Sequence, residues 1–193
     1  MKSSHRILMA VAALLLLGLY FFPMWRITLE APQYPKGNEL AIEIPVNDVR
    51  GARPHDLQNL NGLNHYIGMK KIEPDAIPEL VYMPYIVAAM IILGLIVAAA
   101  QRRWMVMAWL VMVVIVGAVG LYDFYLWEYD YGHDLDPHAA IKIEGMAYQP
   151  PLIGSQKLLN FTAHSYPAIG FYFIIVGWFV AAWVWWSSRK ATS

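Results

Sequence analysis

Four long runs of apolar residues dominate the pattern of hydrophobic and polar positions along the chain. They cover approximately residues 7–25, 80–100, 104–126 and 168–186. Each run is close to the roughly 20 apolar residues that a helix needs to cross a bilayer core of about 30 Å. The pattern predicts four transmembrane helices in a single domain, residues 1–193, with polar segments at residues 26–79 and 127–167.

The first apolar run resembles the core of a secretory signal peptide, because Lys2 and Arg6 precede it. The run ends, however, in Phe21, Phe22 and Pro23. Bulky residues at this point leave no site of small residues for a signal peptidase. We therefore expect the run to stay in the protein as a membrane anchor.

The distribution of charge predicts an orientation for the four helices. Both chain ends and the short connection between the second and third runs carry basic residues and no acidic residue. These basic residues are Lys2, Arg6, Arg102, Arg103, Arg189 and Lys190. All 14 Asp and Glu residues lie in or beside the two long polar segments. Because basic residues beside short loops stay on the cytoplasmic side, we expect both termini in the cytoplasm and the polar segments outside.

The two polar segments predict a small mixed cap outside the membrane. Residues Leu40–Ile44 alternate apolar and polar positions, as a short strand does. Apolar residues recur near helical spacing within residues 56–69, whereas two prolines exclude a regular helix at residues 31–37. The predicted fold is an all-α integral membrane protein, a four-helix transmembrane bundle with this cap.

The composition supports a lipid environment and excludes several kinds of site. Only 15% of the residues are charged, against about 25% in ordinary soluble domains. The net charge is zero, so no bulk attraction to nucleic acid is expected. With no cysteine, the chain cannot form disulfides, iron–sulfur clusters, thiolate zinc sites or attached c-type haem. No histidine lies deep in an apolar run, so no haem between the helices is expected.

Histidine and methionine in the polar segments are the candidate metal ligands. Five of the six histidines lie there, with several methionines. Imidazole and thioether together suit copper, and thioether favours Cu(I). The candidate ligands are His65, Met69, His133, His138, Met146 and His164.

Two pairs among these candidates have a suggestive spacing. His65 and Met69 are four residues apart and would share one face of a helix; the alternative is a surface histidine and a buried methionine. His133 and His138 are five apart around two aspartates, which fits a loop that binds Cu(II) or zinc. The alternative for this second pair is a solvated polar loop.

Other polar residues near the ends of the apolar runs have simpler interpretations. His164 could complete a site with the second histidine pair, or it could hydrogen-bond to a loop carbonyl. Asp123, Glu128 and Asp130 lie near the outer end of the third run. We expect these acids to anchor the lipid boundary and to pair with basic residues of the first polar segment.

Catalytic motifs are absent from the sequence. It contains no glycine-rich phosphate loop, no nucleophile elbow and no helical zinc motif of the His-Glu-x-x-His type. Nothing in the sequence therefore indicates an enzyme.

Four stretches of the polar segments, residues 31–35, 60–69, 127–137 and 149–161, resemble a family of four-helix bacterial membrane proteins. Members of this family are encoded near nitrous oxide reductase maturation genes and a copper chaperone lipoprotein. The resemblance implies an inner-membrane protein with periplasmic loops that handles copper or helps to mature a periplasmic copper enzyme. The implied partner is that enzyme or a copper chaperone, and the family supplies no catalytic or binding motif.

A structural subunit without a metal site is the alternative function. In this interpretation, the four helices scaffold a larger membrane complex and the polar segments form its docking surface. The polar segments are rich in proline and tyrosine, and aromatic residues are favoured at protein interfaces.

Overall fold

Four long apolar helices form the main body of the protein in the computed structural model, which describes residues 3–34, 37–141, 143 and 145–191. They are α1 (Ser3–Leu15, extended by a 3-10 helix, Leu16–Tyr20), α3 (Glu79–Ala100), α4 (Arg103–His133) and α5 (Ile169–Ser187). By length and composition, all four can cross a membrane. Pro35 and Lys36, in the segment predicted to be irregular, and the basic residue Lys2 lie outside the described residues.

Two predicted helix ends differ from the structure. The first helix ends at Tyr20 rather than Trp25, because Trp25 already begins a strand. The third predicted helix continues from residue 126 to His133, about two further turns. The reason is that α4 keeps an apolar face beyond the predicted boundary, where the partly buried Trp127 and Tyr131 pack against a buried cluster that includes Trp25.

The four long helices form a bundle in which α1 and α4 each pack against both α3 and α5. Small residues allow close approach at these contacts. A Cβ atom at Gly94 would lie 2.6 Å from the Cβ of Ala13, and one at Gly177 would lie 2.8 Å from the carbonyl oxygen of Ala12. The Trp109 indole, which is buried, donates a hydrogen bond to the Met90 carbonyl at 3.0 Å. The bundle therefore has a tightly packed core along α1.

A five-stranded antiparallel sheet covers one end of the bundle. Its strands are β1 (Trp25–Glu30), β2 (Leu40–Ile44), β3 (Arg50–Gly51), β4 (Gly154–Leu158) and β5 (Phe161–Pro167), in the order β3-β2-β1-β5-β4. The prediction of an all-α protein is therefore wrong, although the predicted strand at Leu40–Ile44 is confirmed. Because β1 pairs with β5, the sheet joins the two polar segments into one unit. We call this sheet, helix α2 (Asp56–Ile67) and their connections the cap.

Helix α2 in the cap confirms the helical pattern predicted within residues 56–69. Specific hydrogen bonds define both of its ends. At its start, the buried Asp56 carboxylate accepts hydrogen bonds from the backbone N–H groups of Ala41 and Arg53, at 3.3 and 3.2 Å. At its end, Gly68 has a φ of 80°. The Met69 N–H donates to the Asn64 carbonyl at 2.9 Å, which is the bonding pattern of a glycine-terminated helix.

A buried hydrogen-bond chain joins the sheet to the neighbouring loop. The Trp25 indole N–H donates to the Ser165 hydroxyl at 2.7 Å, and this hydroxyl donates to the Leu152 carbonyl at 3.1 Å. Ser165 has no exposed surface. These two hydrogen bonds fix β1 and β5 at the point where both strands meet the bundle.

Replacing Ser165 should therefore destabilise the cap. We expect Ser165→Ala to lower the free energy of unfolding by about 1–2 kcal/mol, because the buried Trp25 indole loses its acceptor. Thermal unfolding in detergent, followed by tryptophan fluorescence, measures this change. Ser155→Ala is the control on β4, because the Ser155 hydroxyl is exposed and water can replace its hydrogen bond to His164. An equal loss in both variants would contradict the expectation.

Candidate functional site

Three potential metal ligands line a groove along α2, and two of them lie at the same end of this helix. His65 and Met69 line the groove at the C-terminal end of α2, whereas His55 lines it at the other end, about 15 Å from His65 along the helix. Both histidines are exposed, whereas Met69 is half-buried. Two of the six predicted ligands, His65 and Met69, therefore lie in one groove. His55, which was not among the six, lines the same groove because it directly precedes α2.

The geometry of the His65–Met69 pair differs from the predicted helical spacing. Helix α2 ends at Ile67, so Met69 is not on the same helix face as His65. The left-handed backbone of Gly68 turns the chain at this point. A Cβ at Gly68 would lie 2.9 Å from Ala139 and 3.0 Å from the Asp136 carbonyl oxygen. Close packing of residues 136–139 against this glycine sets the position of Met69.

His133 and His138 have separate partners. His133 is the last residue of α4 rather than a loop residue. Its ring stacks on Tyr129 with centroids 3.9 Å apart, and its Nδ1 lies 3.0 Å from the Tyr129 carbonyl oxygen. His138 is exposed on the following loop, where its Nδ1 lies 3.3 Å from the Asp136 carboxylate. Of the two imidazoles in the predicted loop site, that of His133 is therefore on a helix, and only that of His138 is on the loop.

The two remaining predicted ligands lie in the second half of the cap. His164 is on β5, with Nδ1 2.7 Å from the Ser155 hydroxyl and Nε2 3.4 Å from the Glu30 carboxylate. Met146 is half-buried and packs against a small apolar cluster that includes Ile67 and Tyr148. Within the described ranges, no group of three or more His, Asp and Glu residues is placed to hold a metal ion.

An ion-pair network lies beside the groove. The Lys70 ammonium contacts the carboxylates of Asp130 and Asp134, each at 2.8 Å. These hydrogen bonds raise the pKa of Lys70 above its ordinary value. The prediction that Asp130 pairs with a basic residue of the first polar segment is confirmed. The network ties the end of α4 to the chain that follows α2.

Glu128 does not pair with a basic residue of the first polar segment among the described residues. Its side chain has no exposed surface, and neither carboxyl oxygen has a hydrogen-bond partner among the described residues. It lines a cavity of about 60 Å³ between α4, α2 and the sheet, and Met69 lines this cavity too. The expected pairing with a basic residue is therefore wrong for Glu128, because the extra turns of α4 carry it beneath the sheet.

The spacing of apolar residues around Glu128 in the sequence indicates the buried position of this residue. Leu121, Phe124 and Tyr131 recur at intervals of three, four and seven residues around it. Such intervals place all four side chains on one helix face. The continuation of this apolar face past the predicted end of the third helix would have placed Glu128 inside the protein.

Comparison with known proteins gives no assignment. No protein-family model, no curated protein and no solved structure matches this chain.

Proposed function

We propose that this chain is an accessory protein of the bacterial inner membrane that handles copper for a periplasmic copper enzyme. The observation that supports this function best is the groove in which His65 and Met69 lie at the same end. The proposed orientation has the cap in the periplasm and both termini in the cytoplasm. It is supported by the basic residues Arg102 and Arg103, which lie at the end of the bundle away from the cap.

The side chains of the groove suit a weak and exchangeable Cu(I) site. The His65 imidazole is exposed and has no hydrogen-bond partner among the described residues, so its nitrogen lone pair is available. His55, about 15 Å away along α2, is too far to bind the same ion. Imidazole and thioether ligands favour Cu(I). Because the groove is open, a partner protein could reach the ion and replace these ligands one at a time.

Copper binding by the purified protein tests this function. We expect the protein to bind one Cu(I) per chain under reducing conditions. The variants His65→Ala and Met69→Leu should each bind copper at least about tenfold more weakly, as loss of a metal-site group commonly does. Competition with a chromophoric Cu(I) chelator in mild detergent measures the affinity.

A variant of the other histidine pair supplies the matched control. His133→Ala/His138→Ala removes two imidazoles from the same cap but none from the groove, and it should bind copper as the wild type does. The proposed function would be contradicted if the wild type bound no copper, or if the groove variants kept its full affinity.

A scaffold subunit without a metal site is the second candidate. It is favoured by exposed tyrosines at the cap end of the helices, including Tyr122, Tyr125, Tyr129 and Tyr172. Aromatic residues are enriched both at protein interfaces and at lipid headgroups. Co-purification in a defined complex in mild detergent would support the scaffold, whereas migration as a lone small protein would count against it.

A further inference from the structure

An apolar cavity of about 210 Å³ lies inside the bundle, directly beneath the cap. All four long helices contribute to its wall, for example through Leu19, Met83, Val116 and Ile174. Val46, from the connection between β2 and β3, lines its cap side. The cavity therefore lies in the half of the bundle nearest the cap. The close helix packing at the small residues of α1 does not extend into this half.

The cavity reaches the surface of the bundle between α3 and α4. Ile86 and Gly117 line the cavity and are also exposed. A Cβ atom added at Gly117 or at Gly120 would have no atom within 4 Å. These glycines leave a gap in the wall of apolar helices, and a molecule in the surrounding lipid could enter there.

Two carboxylates mark the cap end of this otherwise apolar cavity. Glu79, at the start of α3, and Asp123, on α4, both line it and are half-buried. They are close enough to interact electrostatically. Neither has an ion-pair or hydrogen-bond partner among the residues that the structure describes. Two partly desolvated carboxylates without a cation are costly, and a positive charge between them would offset that cost.

We propose that the cavity binds a single-chain amphiphile with a cationic head. The apolar chain would occupy the cavity, and the head would lie between Glu79 and Asp123. The volume lies between the about 150 Å³ that accommodates benzene and the roughly 300 Å³ or more of drug-sized ligands. It therefore holds the first part of one alkyl chain, and the rest would extend through the gap between α3 and α4. This inference relies on the proposed placement of the helices in lipid, but it is independent of copper binding.

Quenching of tryptophan fluorescence provides a direct test, since Trp25 and Trp127 both line the cavity. The probes are a brominated long-chain alkylamine and a brominated alkyl sulfate of the same length. Each is added to the protein in nanodiscs of zwitterionic lipid. We expect saturable quenching by the amine only. In Glu79→Gln/Asp123→Asn, the apparent Kd of the amine should rise about tenfold, which corresponds to about 1.4 kcal/mol of binding free energy.

A cavity-filling variant tests the location of the site. Gly117→Leu places a side chain in the open space and should abolish the saturable quenching. The helix should still form, because leucine is a better helix former than glycine. Val119→Leu, at an exposed position that does not line the cavity, is the matched control and should behave as the wild type does.

Two outcomes would overturn the proposal. Equal quenching by the amine and the sulfate would show that the cavity admits lipid chains without selection by charge. Saturable amine quenching that persists in Gly117→Leu, with unchanged helical content, would place the amine elsewhere. Copper affinity, measured on the same samples, reports separately on the proposed function.

Discussion

Gly132→Val should lower the free energy of unfolding by about 2–3 kcal/mol. Gly132 lies in the last turn of α4, where residues 148–150 cross the helix. A Cβ atom at this position would lie 2.5 Å from both Cα and N of Gln149. Backbone atoms cannot rotate away as a side chain can, and overpacking of this kind typically costs about 1–3 kcal/mol. The Tyr148 N–H also donates to the Gly132 carbonyl at 2.9 Å, so a shift would strain this bond.

A second glycine on the same helix supplies the control for this prediction. Gly120→Val introduces the same side chain where a Cβ would have nothing within 4 Å. Its effect on the free energy of unfolding should stay within about 0.5 kcal/mol. Chemical unfolding in detergent, followed by circular dichroism, measures both variants. Equal effects of the two variants would show that Gly132 contributes through backbone flexibility rather than through its contact with Gln149.

The long helices were predictable because their signal is contained within each segment. A run of apolar residues of sufficient length indicates a membrane-crossing helix whatever its neighbours are. The ends were less predictable, because they depend on contacts with distant residues. Trp25 has the hydropathy of the preceding helix, yet it pairs with Pro167 as a strand residue.

The sheet was largely hidden in the sequence, since its central pairing joins residues more than 130 positions apart. Strand β5 does alternate buried and more exposed positions, but two buried members are Ala163 and Ser165. Small or polar residues in the interior weaken the pattern that identifies a strand. In β4, Ser155, Gln156 and Lys157 are exposed and polar, so this edge strand has almost no hydrophobic signal.

The candidate site was predicted in part. Local spacing pointed to His65 and Met69, which do line one groove, although a turn at Gly68 rather than a helix face places Met69 there. Local spacing could not show that His164 hydrogen-bonds across to Ser155. It also could not show the apolar cavity beneath the cap, because cavities form between elements that are distant in sequence.

Glu128→Met should raise the free energy of unfolding by about 1–3 kcal/mol. The Glu128 carboxyl is fully buried, and no described residue hydrogen-bonds to it. A buried polar group without a partner costs about that amount relative to an apolar group of similar size. Methionine has a comparable length, and its flexible side chain can fill the small cavity of about 60 Å³ next to this position. Thermal unfolding in detergent, at several values of pH, measures the gain.

Two further variants determine whether the gain comes from removing the carboxyl group. Glu128→Gln keeps the shape and still buries an unpaired polar group, so it should stabilise the protein less than methionine does. Glu73→Met makes the same substitution at an exposed position and should change the free energy of unfolding by less than about 0.5 kcal/mol. A loss of stability in Glu128→Met would contradict the prediction. Glu128 would then contribute to the folded state through an interaction that outweighs the cost of its burial.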